Sequence, residues 1–205
     1  MVPRLNPVDA ELERFRTFIH KIVPDASEDD IRLFSSKAKS LEFQKEKLFV
    51  KEGQVCKTLL FIHQGLFRYY LLHEGKEITK DFAVDFQNPF CTAYTSFMLQ
   101  KPSEIWIEAL ETSQVWAWNK SDVQPLFEHH PLWQMFAKRM AEQLFYRKEQ
   151  KEIELLKCSA QERYRRFLAD FPGLSQRVPQ YHIATYLGIA PESLSRIRAQ
   201  PAASS

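Results

Sequence analysis

Arg196 and Glu192 are the residues of this 205-residue chain whose types and spacing most directly suggest chemistry. An arginine guanidinium is a planar fork of N–H donors and can meet O6 and N7 of a guanine, while a glutamate one helical turn earlier can accept from N4 of a cytosine. Ser193 and Ser195 add hydroxyls that can donate to phosphate or touch a base edge, and Arg198 adds a cation. Taken alone, a Glu–Arg pair at this spacing is most simply a surface salt bridge. The surrounding sequence favours DNA contact instead.

That sequence is Gln180–Arg198, QYHIATYLGIAPESLSRIR. Ile183, Ala184 and Leu187 fall on one face of a first short helix, with the small Ala184 where two helices would cross closely. Gly188 supplies the residue that tolerates positive φ at a tight turn, and Ile189 plugs the corner. Pro191 suits the first turn of a second helix, where its missing N–H is an orphan anyway. Leu194 and Ile197 then face back onto the first helix, leaving Glu192, Ser193, Ser195, Arg196 and Arg198 outward. This is the spacing of a helix-turn-helix. Backbone N–H groups at the two helix starts, near Gln180 and Pro191, can hold phosphates.

Before this motif, Ser159-Ala-Gln-Glu162 is a capping box that starts a helix at Ala160, with Tyr164, Phe167, Leu168 and Phe171 apolar. Pro172-Gly173 ends that helix, and 174–179 reads as a linker. From Leu132 to Lys157 the chain has neither Gly nor Pro, which predicts one long helix. Its stripe of Trp133, Phe136, Met140 and Leu144 can pack on its own domain and against a partner helix, so Phe136, Met140 and Leu144 are the expected dimer contacts. Ser121 is expected to cap a helix over 122–129.

Between Ser40 and Trp118 the runs are short, aromatic and broken by turn residues. Strands are expected at 41–43, 47–50, 58–64, 66–72, 77–84, 105–111 and 114–118. Phe67, Tyr69 and Leu71 alternate, as do Ile78, Lys80 and Phe82. Seven or more short strands suggest an antiparallel barrel or jelly roll. Its aromatic residues, Phe86 among them, could pack a core or line a pocket. The segment 87–100 lacks alternation and suits a short helix or loop on the wall. Helices over 7–22 and 28–37 precede the barrel, the second started by Ser27 and Asp30, and the tail after Arg198 reads as disordered.

Barrel, long helix, capped helix and terminal helix-turn-helix, in that order, resemble the cAMP receptor protein and fumarate-nitrate regulator (Crp/Fnr) family of bacterial transcription factors. The likeness rests on Leu187-Gly-Ile-Ala-Pro-Glu-Ser-Leu-Ser-Arg196 and on Leu59-Leu-Phe-Ile-x-x-Gly65-x-x-Arg68. It implies an α+β fold in three parts: a cyclic-nucleotide-binding-like β-barrel sensor over 1–130, a dimerisation helix over 131–158, and a winged-helix-like DNA-binding domain over 159–205. It implies a homodimer on duplex DNA at an inverted repeat, with RNA polymerase as a further partner. Seven residues follow Arg198, too few for a β-hairpin wing, so backbone contacts are expected from Arg163, Arg166 or Arg177.

The sensor departs from the family pattern. Cyclic-nucleotide sites of this fold resemble Gly-Glu-Leu followed by Arg-Ser or Arg-Thr; here the region reads Pro89-Phe-Cys-Thr-Ala-Tyr-Thr-Ser, then Lys101-Pro-Ser-Glu104. The ribose-binding Glu is missing, and Glu104 would repel a phosphate. Tight cAMP binding is not expected. Phe82, Cys91, Thr92, Tyr94, Lys101 and Ser103 are the candidate lining of a pocket for an unidentified effector, and no cofactor or metal is expected.

Composition narrows the classes. Net charge is +2, but residues 159–205 carry six arginines against three acids, a net of +3, leaving −1 on the rest. Cys56, Cys91 and Cys158 are far apart with no CxxC, which suggests a reducing compartment and too few ligands for an iron–sulfur cluster. No leader and no apolar run of membrane length is apparent, so the expected location is the cytoplasm, without a membrane partner. His63 and His73 form no HxH element, which disfavours a cupin-type metal enzyme. The remaining alternative is a ligand-binding barrel whose C-terminal motif contacts protein rather than DNA.

Overall fold

The computed structural model describes residues 7–85 and 87–199; Phe86 and the tail from residue 200 lie outside them. α1 (Pro7–Ile22) and α2 (Glu28–Ser35) come first. α2 is held by a reciprocal capping box: the Ser27 N–H donates to Asp30 Oδ2 at 3.0 Å, and the Asp30 N–H to Ser27 Oγ at 3.1 Å.

Eight strands follow: β1 (Lys39–Phe43), β2 (Leu48–Val50), β3 (Thr58–Gln64), β4 (Leu66–His73), β5 (Lys76–Val84), β6 (Phe90–Cys91), β7 (Trp106–Ala109) and β8 (Ser113–Asn119). They form two antiparallel sheets ordered β1-β8-β3-β6 and β2-β7-β4-β5. The alternation of large apolar residues therefore makes a jelly-roll barrel. Inward residues such as Leu60, Ile62, Phe67 and Ile107 are fully buried in its core. α3 (Tyr94–Leu99) lies between β6 and β7, in the stretch without alternation.

α4 (Lys120–His129) starts two residues earlier than a Ser121 cap would place it. Asn119 takes the cap position without a side-chain bond, so Ser121 is not the cap. α5 (Pro131–Lys157) is one unbroken helix of 27 residues, about 40 Å long at 1.5 Å per residue. α6 (Ala160–Asp170), the single turn α7 (Leu174–Arg177), α8 (Gln180–Leu187) and α9 (Pro191–Ala199) complete the described residues. α7 lies in what reads in the sequence as a linker.

The first core joins the barrel to α1, α2 and the start of α5. Phe34 ties these parts together, with ring centroids 5.8 Å from Phe15, 5.0 Å from Trp118 and 4.4 Å from Trp133. Such aromatic contacts add about 0.5–1.5 kcal/mol each beyond burial. Phe136 is 3 % exposed and packs on Phe90 at 5.5 Å, and Met140 lies against the same core. Of the residues expected at a dimer contact, Phe136 and Met140 thus pack on their own barrel, and Leu144, next on that stripe, is half-buried. The exposed large apolar residues of α5 are Met135, Phe145, Tyr146, Ile153, Leu155 and Leu156.

β5 also departs from simple alternation. Tyr69 pairs with Asp81 and Tyr70 with Thr79, so Lys80 is an extra residue in a bulge. Thr79 and Phe82 therefore share one face, the outer face that also carries Arg68 and Tyr70. On that face a second core forms, in which Leu66, Phe82, Val84 and Leu110 of the barrel pack with Phe167, Phe171, Leu174 and Val178 of the C-terminal helices. Gly65 opens β4 at φ +130°, and a Cβ there would lie 2.1 Å from Ser113 Oγ, so no side chain fits.

Candidate nucleic-acid interface

α8 and α9 are built as their sequence suggests. Gly188 ends α8 in the left-handed region at φ 67°, and the Ile189 N–H donates to the Ala184 carbonyl at 3.0 Å. A Cβ at Gly188 would meet only Leu155 Cδ2, at 3.6 Å, so the turn conformation and not crowding requires glycine. Ile183, Ala184, Leu187 and Leu194 are buried between the helices and α6, and Ile197 is half-buried. Each of the large side chains contributes about 1.5–3 kcal/mol by leaving water.

The complementary face of α9 is open. Pro191, Glu192, Ser195, Arg196 and Arg198 are exposed, as is Gln180 at the start of α8, and Ser193 is half-exposed. Arg196 donates to Ser193 Oγ at 3.2 Å. Among the described residues no ion pair joins it to Glu192. The guanidinium and the carboxylate are thus separately available. Gln180, Pro191, Ser195, Arg198 and Ala199 line an open concavity of about 310 Å³ between the start of α8 and the outer face of α9. Gln180, Ser195 and Arg198 supply its polar groups beside the apolar Pro191 and Ala199, and Glu192 and Arg196 stand exposed on the same helix, groups that suit base-edge and phosphate contact.

The arginines expected to reach the DNA backbone are otherwise engaged. Arg177 donates to Glu111 Oε1 at 2.6 Å, to the Gly65 carbonyl at 3.2 Å and to Asp85 Oδ1 at 3.4 Å. Arg163 donates to the Leu187 and Cys158 carbonyls at 3.0 and 2.6 Å. Arg166 pairs with Glu154 at 3.0 Å. The hydrogen bond it donates to Glu111, then the charge of Asp85, holds Arg177 above its ordinary value.

The barrel residues singled out as effector lining do not share one cavity. Phe82 lies on the outer face, with its ring 5.3 Å from Tyr186 and 6.2 Å from Phe171. Cys91 is fully buried, and burial pushes its thiol far above the ordinary value, leaving it uncharged beside the Tyr69 hydroxyl. Thr92 Oγ1 donates to the Thr58 carbonyl at 2.9 Å. Tyr94 is 41 % exposed, and Lys101 is exposed. Ser103 is buried in a local turn, its Oγ donating to the Ile105 carbonyl at 2.8 Å. The lysine and the buried residues thus point to different surroundings. Among the described residues no three His, Cys, Asp or Glu side chains converge as a metal site, and no helix is long and apolar enough to cross a membrane.

A polar interface was not apparent in the sequence. α8 lies on β5 through Tyr181, His182 and Thr185. Arg68, 1 % exposed, donates to Glu77 at 2.5 Å, to Glu108 at 2.7 Å and to His182 Nδ1, and stacks 4.1 Å over the Tyr70 ring. Burial first, and the Arg68 charge second, lower His182 to about 4, so it is a neutral acceptor near neutral pH. The Thr185 and Thr79 hydroxyls are 2.8 Å apart. Along α5, Lys151 donates to the Tyr186 carbonyl at 3.0 Å, and burial lowers its amine to about 7.

No family model matches the sequence, and no curated protein is detectably similar to it. Its structure is similar to that of the c-di-GMP responsive global regulator CLP from Xanthomonas campestris, at 16 % identity and a TM-score of 0.65 over 83 % of this chain and 89 % of that one. It is similar to FixK2 from Bradyrhizobium japonicum, at 19 % identity and 0.64 over 80 % and 83 %. It is also similar to a Eubacterium rectale protein described as a transcriptional regulator of the Crp/Fnr family, at 19 % identity and 0.66 over 88 % and 85 %. At these identities the likeness establishes the fold. This chain has the α+β architecture of the Crp/Fnr regulators: a cyclic-nucleotide-binding-like barrel, a long helix and a helix-turn-helix.

Proposed function

We infer that the protein is a sequence-specific, DNA-binding transcription regulator of the Crp/Fnr type and not an enzyme. The observation that carries this reading is the outer face of α9, where Glu192, Ser195, Arg196 and Arg198 stand exposed beside the concavity that begins at Gln180. Arg196 reads a guanine, Glu192 a cytosine, and Ser193 and Ser195 reach phosphate or base edges. The N-termini near Gln180 and Pro191 take phosphates.

One such motif reads a few base pairs, so the protein acts as a homodimer on an inverted repeat, with half-sites about one helical turn apart. The exposed Phe145, Tyr146, Ile153 and Leu156 of α5 support this, because a partner helix would cover them. A signal received in the barrel controls the dimer. That signal is not cAMP, since exposed Glu104 stands where a phosphate would need a cation. The reading places the protein in the cytoplasm, and the family resemblance adds RNA polymerase as a partner.

The test is selection of duplexes from a random pool by the full-length protein, followed by titration across a salt series. An inverted repeat bound with a steep salt slope is expected, because neutralised phosphates release counterions. Failure to retain any duplex at low salt would sink the reading and leave the concavity to a protein partner.

A further inference from the structure

We propose that Arg68, a barrel residue far from α9, is a positioning residue for DNA reading: it fixes α8 on β5 and so sets the direction in which α9 points. The proposal rests on the DNA-binding function inferred above.

Two kinds of contact join the barrel to the helix-turn-helix. The apolar kind, in which Phe82 and Val84 pack with Phe167 and Phe171, holds the two parts together but is non-directional and tolerates sliding and rotation. The polar kind does not tolerate them. Arg68 reaches Glu77 and Glu108 on its own sheet and His182 on α8, Tyr181 OH donates to the Glu77 carbonyl at 3.3 Å, and the Thr79 N–H donates to Thr185 Oγ1 at 3.3 Å. A buried guanidinium has fixed donor directions, so moving α8 along β5 takes His182 away from Arg68 and leaves that donor without its acceptor. The polar contacts therefore select one register out of the many that the apolar contact allows.

The docked register also suits reading. α8 turns Tyr181, His182 and Thr185 toward the barrel and Ile183, Ala184 and Leu187 into the helical core, while the exposed face of α9 is free of barrel contacts. Barrel and reading head thus travel as one body, and the distance between two reading helices in a dimer is set by how two such bodies are arranged.

The experiment uses the full-length protein, the inverted repeat that it selects and a duplex carrying a single half-site. Arg68→Met keeps length and apolar packing but removes the directed donors. The expected result, at a temperature where the variant is fully folded, is an affinity loss of about tenfold or more on the inverted repeat with single half-site binding little changed, while the melting temperature falls because Glu108 loses its partner. Equal weakening on both duplexes would overturn the proposal, as would an unchanged repeat affinity. Thr79→Cys with Thr185→Cys, in a Cys158→Ser background, then joins β5 to α8 on oxidation by diamide and releases them with dithiothreitol. Oxidation is expected to restore repeat binding to Arg68→Met and to leave it intact in the chain with native Arg68. If Arg68→Met fails to fold, the second result decides: loss of repeat binding on oxidation would show that reading requires α8 to leave β5. A native protein that binds no duplex would instead refute the DNA-binding function, and that is measured first.

Discussion

His63 should make the fold acid-sensitive in a way that one substitution removes. It lies on β3, 2 % exposed, wedged 5.0 Å from the Phe61 ring and 4.5 Å from the Trp116 ring, and neither ring nitrogen has a hydrogen-bond partner. Burial first, and the nearby Arg14 charge second, lower it from the ordinary 6.5 to about 4. Between these values the unfolded chain carries a proton that the folded chain refuses. Stability is therefore complete above pH 6.5, falls as pH drops through this window, and levels off below pH 4. The full effect is about 3 kcal/mol, of which about 2 kcal/mol is lost between pH 7 and pH 5. His63→Phe keeps an aromatic ring among aromatic rings and has nothing to protonate. Urea unfolding followed by tryptophan fluorescence at both pH values measures the difference. The loss on acidification should be about 2 kcal/mol smaller in the variant, while His182, also lowered to about 4, contributes equally to both proteins and cancels. Equal losses in the two proteins would refute the reasoning, as would an NMR titration of His63 in the native protein centred near its ordinary value.

Arg196→Ala should cost about 1–3 kcal/mol on the selected repeat and relax base preference at one position per half-site, read by competition at fixed salt. Phe145→Glu with Leu156→Glu, both exposed on α5, should halve the mass measured by light scattering, whereas Phe136→Glu should lower the melting temperature, because Phe136 is buried against Phe90. Ser159→Ala removes the oxygen that accepts the Glu162 N–H at 3.3 Å and should destabilise by about 1 kcal/mol in chemical denaturation. Calorimetric titration with cAMP should give no heat at micromolar concentrations; a saturable micromolar isotherm would overturn the reading of Glu104.

The reading end was legible because its signals are local. Gly188 must adopt positive φ, Pro191 must sit in a first turn, and Ser159 with Glu162 marks a helix start whatever surrounds it. β3 likewise runs over Thr58–Gln64, as its apolar run suggests. What escaped depends on tertiary contact. α5 carries large apolar residues on two sides, and only the barrel decides that Phe136 turns inward and Phe145 outward. Phe82 looks like a barrel-lining residue when Ile78, Lys80 and Phe82 are taken to alternate, but the bulge at Lys80 places it on the outer face. Tyr181, His182 and Thr185 read as the spare side of a short helix, because their partners lie more than a hundred residues earlier.

The second core bears on modularity. Leu66, Phe82, Val84 and Leu110 come from the barrel, yet they complete the packing of Phe167, Phe171 and Leu174. The interior of the helix-turn-helix part is thus continuous with the outer face of the barrel. A chimaera cut at the junction of α5 and α6 would separate Leu66, Phe82, Val84 and Leu110 from the helical residues they cover and expose both sets to water. Exchange of reading heads between proteins of this architecture would need the outer faces of β4 and β5 to travel with the helices. In this chain the unit of inheritance is therefore larger than the helix-turn-helix, and a recombination breakpoint that respects it lies within the barrel.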